Sequence, residues 1–276
     1  MGAMERAQLE RPPFADLDRM PPDTLAMLVS MLEAMSRHPE IRRVRHAAWE
    51  ALRPAQGQRL LDAGCGAGEV ARELAAAIAP DGQVVALDRS EGTLAVARSR
   101  ADGGGVRYVA GDVCALDFPD ETFDGVWCER VLQHVEDIDL AISELARVTR
   151  EGGRLCLIDT DWTSLAFDGM AADLTAAVIE HSYGRLTPSR PAIGRTLRRR
   201  LVALGLSDVT ATPVTCLFPD PASAAVVLPM VNPEIPGESW NAPEGLRDAW
   251  FEQIDAADDR GDFLAVLTIW VVTAEV

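Results

Sequence analysis

The sequence predicts an α/β fold in which a parallel sheet carries helices on both faces. Three observations lead there. From Arg59 to Asp159, short apolar strand-like runs alternate with helix-like segments, the pattern of strands joined by helical crossovers. The first run passes directly into a glycine-rich turn, Asp62-Ala63-Gly64-Cys65-Gly66-Ala67-Gly68. Glycine or proline then closes several helix candidates: Pro80 follows the first and Gly152-Gly153 the last.

Taken in order, residues 1–22 read as a polar, proline-punctuated arm. Asp23 or Thr24 can cap a helix to about Arg37, with Leu25, Leu28 and Leu32 at helical spacing. A stripe of Met27, Met31 and Met35 beside them reads as packing. Pro39 suits the first turn of a second helix, whose apolar face is Ile41, Val44, Ala48, Trp49 and Leu52. After Pro54 the strand candidates are Arg59–Ala63, Gln83–Asp88, Val106–Ala110, Phe123–Cys128 and Arg154–Asp159. The helices between them are expected at Glu69–Ile78, Glu91–Arg100 and Ile138–Val148. A further helix, Gly194–Leu204, and two strands, Val209–Phe218 and Phe263–Thr273, follow. The organisation expected is an arm and helical cover over 1–54, then a domain over 55–276 with insertions at about 160–191 and 219–262. Connections that long in a compact domain tend to carry function.

A chain of 276 residues with 48% apolar content can bury one large core plus accessory pieces. Its net charge of −17 opposes a nucleic-acid partner. The run Arg198-Arg199-Arg200, near Arg195, reads as a solvated helix face rather than a basic platform. No window has the length and apolarity of a membrane span, and the first ten residues lack a signal-peptide core. Cys65, Cys114, Cys128, Cys156 and Cys216 are scattered and odd in number, which points away from disulfides and zinc and towards the cytoplasm.

Glycine after a strand lets the backbone turn sharply and approach a ligand at the carboxyl edge of the sheet. A tight turn without a ligand is the competing reading. Asp88 and Asp112 decide between them. Asp88 ends the second strand, where an acid can accept from both ribose hydroxyls. Asp112 follows the third strand and can accept from an adenine amino group, with Val113 as an apolar edge. The ligand expected is therefore adenosine-bearing.

With those residues in place, the stretch from Arg59 to Gly153 resembles the class I S-adenosylmethionine (SAM) dependent methyltransferases, near the ubiquinone/menaquinone C-methyltransferase-like (type 11) branch. The matching pieces include Leu61 to Gly68, Val85-Ala86-Leu87-Asp88, Gly111-Asp112-Val113, Phe118 to Asp124, Val131 to Asp137, and Arg147-Val148 leading to Glu151-Gly152-Gly153. The resemblance implies a Rossmann-like, seven-stranded, mostly parallel sheet whose last strand, Phe263–Thr273, is antiparallel. It implies that Asp62, Gly64, Cys65 and Gly66 meet the aminoacyl end of SAM, that Asp88 binds ribose with Arg89 beside the adenine, and that Asp112 and Val113 hold the adenine. It places the backbone of Cys128 and Glu129 near the sulfonium and the early helices over the cofactor. Arg43 or Arg45 could reach the SAM carboxylate; a solvated arginine face is the preferred reading. A nicotinamide dehydrogenase is the runner-up, but the third glycine comes one residue early for it and no second nucleotide-binding half is visible.

Methyl transfer from a sulfonium is an in-line displacement in which positioning does much of the catalysis. A base matters when the acceptor must lose a proton, and His134 is the candidate, with packing at a helix start as its alternative. His181, Tyr183 and Trp162 are the candidate substrate contacts, against surface placement for the first two and packing for Trp162. Asp159 and Asp161 suit substrate contact or loop capping, and no metal is expected. Apolar members of the insertions, Met170, Val226, Val227, Leu228, Met230, Val231 and Trp240, suggest a pocket for a hydrophobic small molecule. Two other readings stay open. One is a methyltransferase fold repurposed for cyclisation, rearrangement or decarboxylation. The other is a partner-binding protein. A homodimer fits the apolar helices.

Overall fold

The computed structural model describes residue 18 and residues 22–101, 104–186, 191–235, 243 and 245–276. Seven strands form one sheet: β1 (Arg59–Ala63), β2 (Gln83–Asp88), β3 (Val106–Ala110), β4 (Phe123–Glu129), β5 (Thr149–Asp168), β6 (Ser207–Phe218) and β7 (Leu264–Glu275). Their order is β3-β2-β1-β4-β5-β7-β6. The pairs among β1 to β5 are parallel, while β7 runs antiparallel to both neighbours, β5 and β6. The expected sheet, including its reversed last strand, is the one observed. The first strands are buried on both faces, as parallel strands under helices must be: Leu60, Leu61, Val84, Val85 and Ala86 are all fully buried.

The helices are α1 (Pro22–Arg37), α2 (Pro39–Leu52), α3 (Glu69–Ile78), α4 (Glu91–Ser99), α5 (Ile138–Val148), α6 (Ala172–Leu186), α7 (Ile193–Ala203), α8 (Pro221–Val227) and α9 (Leu246–Arg260). On one face, Ile41, Val44, Ala48 and Leu52 of α2 and Leu74 and Ile78 of α3 share a core with Leu60, Val84 and Trp127. On the other, Ile142 and Leu145 of α5 and Leu197 and Leu201 of α7 pack with Leu61, Val126, Leu155 and Val272. His38 starts α2 as an N-cap, its Nδ1 accepting from Glu40 N at 3.2 Å, and its Nε2 lies 3.0 Å from the Ser223 hydroxyl of α8.

The stretches read as long excursions are largely regular. β5 does not stop at Asp159 but continues to Asp168 along β7, across a register shift between Asp161 and Ala166. The shift turns Trp162 and Leu165 into the core, and the Ser164 hydroxyl accepts the Thr268 amide at 2.8 Å. Helices α6, α8 and α9 occupy much of the rest. Proline misled the reading of 219–262: Pro221 opens α8 and Pro229 a 3-10 turn, positions where a missing N–H costs nothing. Val227, Leu228, Met230 and Val231, expected to line a pocket, are buried core instead. They pack with Trp250, whose Nε1 donates to Met230 O at 2.8 Å and whose ring meets Phe167 edge-on, centroids 5.1 Å apart. Trp240 lies outside the described residues.

Trp250→Ala is expected to lose roughly 3–5 kcal/mol, from the cavity it leaves plus the unpaired Met230 carbonyl. Urea unfolding of variant and parent measures the difference, and Trp250→Phe should cost visibly less.

Candidate active site

The site is built on a backbone turn at the carboxyl edge of β1. The amides of Gly64 and Cys65 both donate to the Leu87 carbonyl, at 2.7 and 2.9 Å, so the chain leaving β1 curls over the end of β2. Gly64 sits at φ +81°, and a Cβ there would lie 2.1 Å from Val131 Cγ2. Gly66, at φ +53°, has nothing within 4 Å of a built Cβ. One glycine is thus needed for packing; the other leaves room above the loop. The Gly66 amide donates to Asp88 Oδ2 at 2.8 Å, and Asp88 Oδ1 accepts from Ser90 N at 2.9 Å and Thr93 Oγ1 at 3.3 Å. Asp88 is therefore first an anchor for the loop. Of its roughly four lone-pair positions, three are taken by donors of the loop and of the start of α4.

The turn opens onto a cavity of about 680 Å³. Asp62, Gly64, Cys65, Gly66, Asp88, Arg89, Asp112, Val113, Glu129 and His134 all line it. Leu32, Met35 and Ser36 of α1 and Ile41 and Arg45 of α2 close it from above. A contact between Glu33 and Arg100 latches α1 to the end of α4. Asp18 caps the start of α4, accepting from Ser90 Oγ at 2.7 Å and Gly92 N at 3.0 Å; no motif announced it. Its bond from Ser90, before any other cause, holds its carboxyl below the usual range.

Asp62 is 3% exposed, and its Oδ2 has no hydrogen-bond partner. Burial, and then the charge of Glu129, push its carboxyl up to about 8, with Arg45 pulling the other way. Arg45 corrects the expectation of a solvated arginine face. Its Nε meets both Glu129 oxygens at 3.1 and 2.9 Å, and its Nη1 contacts Ser36 Oγ at 2.5 Å. Arg43 does follow the expectation: it is largely exposed and pairs with Glu40.

Other candidates separate. Cys128 is fully buried, outside the cavity lining, its thiol pushed up mainly by burial. His134 ends the 3-10 turn Leu132–His134, and burial, with the nearby Arg130 charge, drives its imidazole down to about 4. Trp162 takes the packing alternative: it is 2% exposed, and its Nε1 donates to Gln133 Oε1 at 3.0 Å. His181 lies on α6, away from the cavity lining; Tyr183 is on the same helix, and its side chain is outside the described residues. Asp159 accepts from Thr160 N at 2.8 Å and Gln133 N at 3.0 Å, and Asp161 from Thr163 N at 3.2 Å, so both acids brace backbone. Among the described residues no three His, Cys, Asp or Glu side chains are grouped to hold a metal ion. No described helix is long and apolar enough to cross a membrane.

Residues 61–157 match the family described as a methyltransferase domain. An uncharacterised 37.1 kDa protein of transposon TN4556 from Streptomyces fradiae is 32% identical over 90% of this chain and 71% of that protein. The chain has the class I SAM-dependent methyltransferase fold. A demethylmenaquinone methyltransferase of Thermobifida fusca is 36% identical over 52% of this chain and 64% of that enzyme. Against another demethylmenaquinone methyltransferase, from Symbiobacterium thermophilum, this chain spans 42% of the relative's length. The solved structure of the [4+2]-cyclase SpnF superposes with a TM-score of 0.54 at 22% identity, over 84% of this chain and 80% of that one. It shares the methyltransferase fold.

The cofactor of this family is SAM, and the site passes a test of fit. A buried carboxylate with an unpaired oxygen, Asp62, suits an ammonium, and the open space over Gly66 admits a ligand to backbone contact.

The two glycines should separate on substitution. Gly64→Ala is expected to destabilise the fold by more than the roughly 1–2 kcal/mol of a left-handed non-glycine residue, because Val131 must also move. Val131→Ala in the same chain should recover part of that loss. Gly66→Ala should lose only the roughly 1–2 kcal/mol of a left-handed non-glycine residue and bind S-adenosylhomocysteine (SAH) poorly. Thermal melts and calorimetry read both.

Asp62 carries a pH signature. Its folded pKa lies above the ordinary 3.8, so its contribution favours the fold below about pH 4 and is lost as pH rises towards 8. Asp62→Asn should therefore melt above the ligand-free parent, with a gap that widens between pH 5 and 8. A gap that narrows over that range would contradict the buried, unpaired carboxyl.

Proposed function

We propose that the chain transfers the methyl group of SAM to a hydrophobic small molecule. The observation that carries this reading is the unpaired Asp62 carboxylate beside the Gly66 opening, in a cavity that also holds Asp88 and Asp112. The cofactor supplies an activated methyl on a sulfonium. Asp62 accepts from the aminoacyl ammonium, and the backbone at Gly64, Cys65 and Gly66 follows the same end. Asp88 gives its remaining lone pair to a ribose hydroxyl while holding the loop. Asp112 and Val113 take the adenine, with Arg89 beside it. Of the Cys128–Glu129 backbone expected near the sulfonium, Glu129 is the residue that reaches the cavity and borders it. Glu129 is itself neutralised by Arg45, which keeps a second free carboxylate away from Asp62.

His134 remains the candidate base. At neutral pH its imidazole is uncharged, with one nitrogen free to accept a proton, but a pKa near 4 makes that transfer uphill for an ordinary acceptor. The same fact supports a second reading, cyclisation or rearrangement of a small molecule on the methyltransferase fold, since such steps need no strong base. SpnF, a cyclase of the same fold, is consistent with it.

Calorimetry should show binding of SAH. Asp62→Ala should weaken it by about tenfold or more, the worth of a hydrogen bond to a charged group. No SAH binding by the folded protein would overturn the reading. With an acceptor in hand, a product heavier by one methyl mass supports transfer, and a product of unchanged mass supports the second reading.

A further inference from the structure

The methyltransferase reading leaves one side chain without a task. Arg130 follows β4 directly and lines the cavity. Its Nε is buried and has no hydrogen-bond partner. Its Nη1 lies against the sulfur of Met35, a weak acceptor. Among the described residues no carboxylate comes within ion-pair distance of it: Glu129, its chain neighbour, is committed to Arg45. Removing a guanidinium from water without an ion-pair partner is expensive. Its backbone is strained as well, at φ +58°, and is held there by a 2.7 Å bond from Arg130 N to Ile158 O. A half-buried arginine with a buried, unpartnered Nε, on a strained residue lining a cavity, is an arrangement that folding alone does not favour.

We propose that Arg130 binds a carboxylate carried by the acceptor, so that the substrate class is hydrophobic carboxylic acids. This rests on the methyl-transfer reading of the cavity and names the acceptor for it. Two arguments choose the ligand. A single unpaired guanidinium is a planar two-pronged donor carrying one charge, which matches a carboxylate. A phosphate dianion would need a second cation, in a cavity already bordered by Asp62, Asp88 and Glu129 and in a chain of net charge −17. The competing occupant is the cofactor's own carboxylate. Position argues against it: Arg130 follows β4 and its amide donates to Ile158 O of β5 at 2.7 Å, whereas Asp62 lies on β1, on the other side of β4 in the sheet.

The test uses two probes of one shape, 1-naphthoate and its neutral amide, titrated calorimetrically into the full chain saturated with SAH. The expected result is naphthoate binding at least about tenfold tighter than the amide. Arg130→Gln should abolish the preference and leave SAH affinity within twofold, with a melt at or above the parent's because an isolated buried charge is gone. Arg130→Lys should keep part of the preference, and serves if the glutamine variant does not fold. Equal affinity for the two probes, no naphthoate binding while SAH binds, or an undiminished preference in Arg130→Gln would overturn the proposal. A tenfold loss of SAH affinity in Arg130→Gln would overturn it too, by assigning the guanidinium to the cofactor. Failure of the parent to bind SAH is a separate result and strikes the methyl-transfer reading instead.

Discussion

Two amides share one acceptor at the centre of this molecule. Gly64 and Cys65 both donate to the Leu87 carbonyl, and that bifurcated anchor sets where the chain goes after β1. It is possible because Gly64 takes a left-handed conformation with no side chain to strike Val131. From that point much of the site follows. Gly66 is delivered to Asp88, α3 begins at Gly68, and the space above the loop stays open. The turn also ties the cofactor half of the cavity to the segment after β4, since Val131 packs on Gly64 and belongs to the same turn as Arg130 and His134.

The electrostatics of the cavity follow from crowding. Asp62, Glu69, Asp88 and Glu129 border one space, and each is handled differently. Glu129 is paired with Arg45. Glu69 lies 3.9 Å from Arg72 and 3.7 Å from Arg100. Asp88 accepts from two backbone amides and one hydroxyl. Asp62 and Glu69 each keep a buried oxygen without a hydrogen-bond donor, but Glu69 has two arginines within ion-pair distance, whereas burial holds the Asp62 proton on to about pH 8. Such a group costs stability in the ligand-free fold, and a cation at that position repays it. Arg130 is the mirror case, a cation that waits for an anion. Asp62 lies on β1, while Arg130 follows β4 with its amide held by Ile158 of β5, so the two groups of opposite demand stand at different strand ends.

Most of the sheet and its helices could be read in advance, because the patterns that specify them are local. Arg59–Ala63, Gln83–Asp88 and Val106–Ala110 are apolar runs bounded by turns, and Glu69–Ile78 and Ile138–Val148 have one apolar face at helical spacing. The reading failed where prolines stood at helix starts rather than in loops, and where β5 passed through a bulge and kept pairing with β7. A bulge leaves no local mark; its evidence is the partner strand, about a hundred residues away. For the same reason the apolar residues around Met230 looked like a pocket and proved to be the bed for Trp250.

By itself the sequence determined the parallel α/β frame, the glycine turn and the acids at three successive strand ends, since each is encoded within a few residues of itself. Tertiary structure alone decided which charges meet. Arg45 and Glu129 are 84 positions apart in the chain, and Arg130 and Met35 are 95 apart. No spacing rule predicts such pairs, because what joins them is the packing of α1 and α2 over the sheet edge. That packing also decides which groups are left unpaired, and an unpaired buried charge records what ligand the cavity is built to receive.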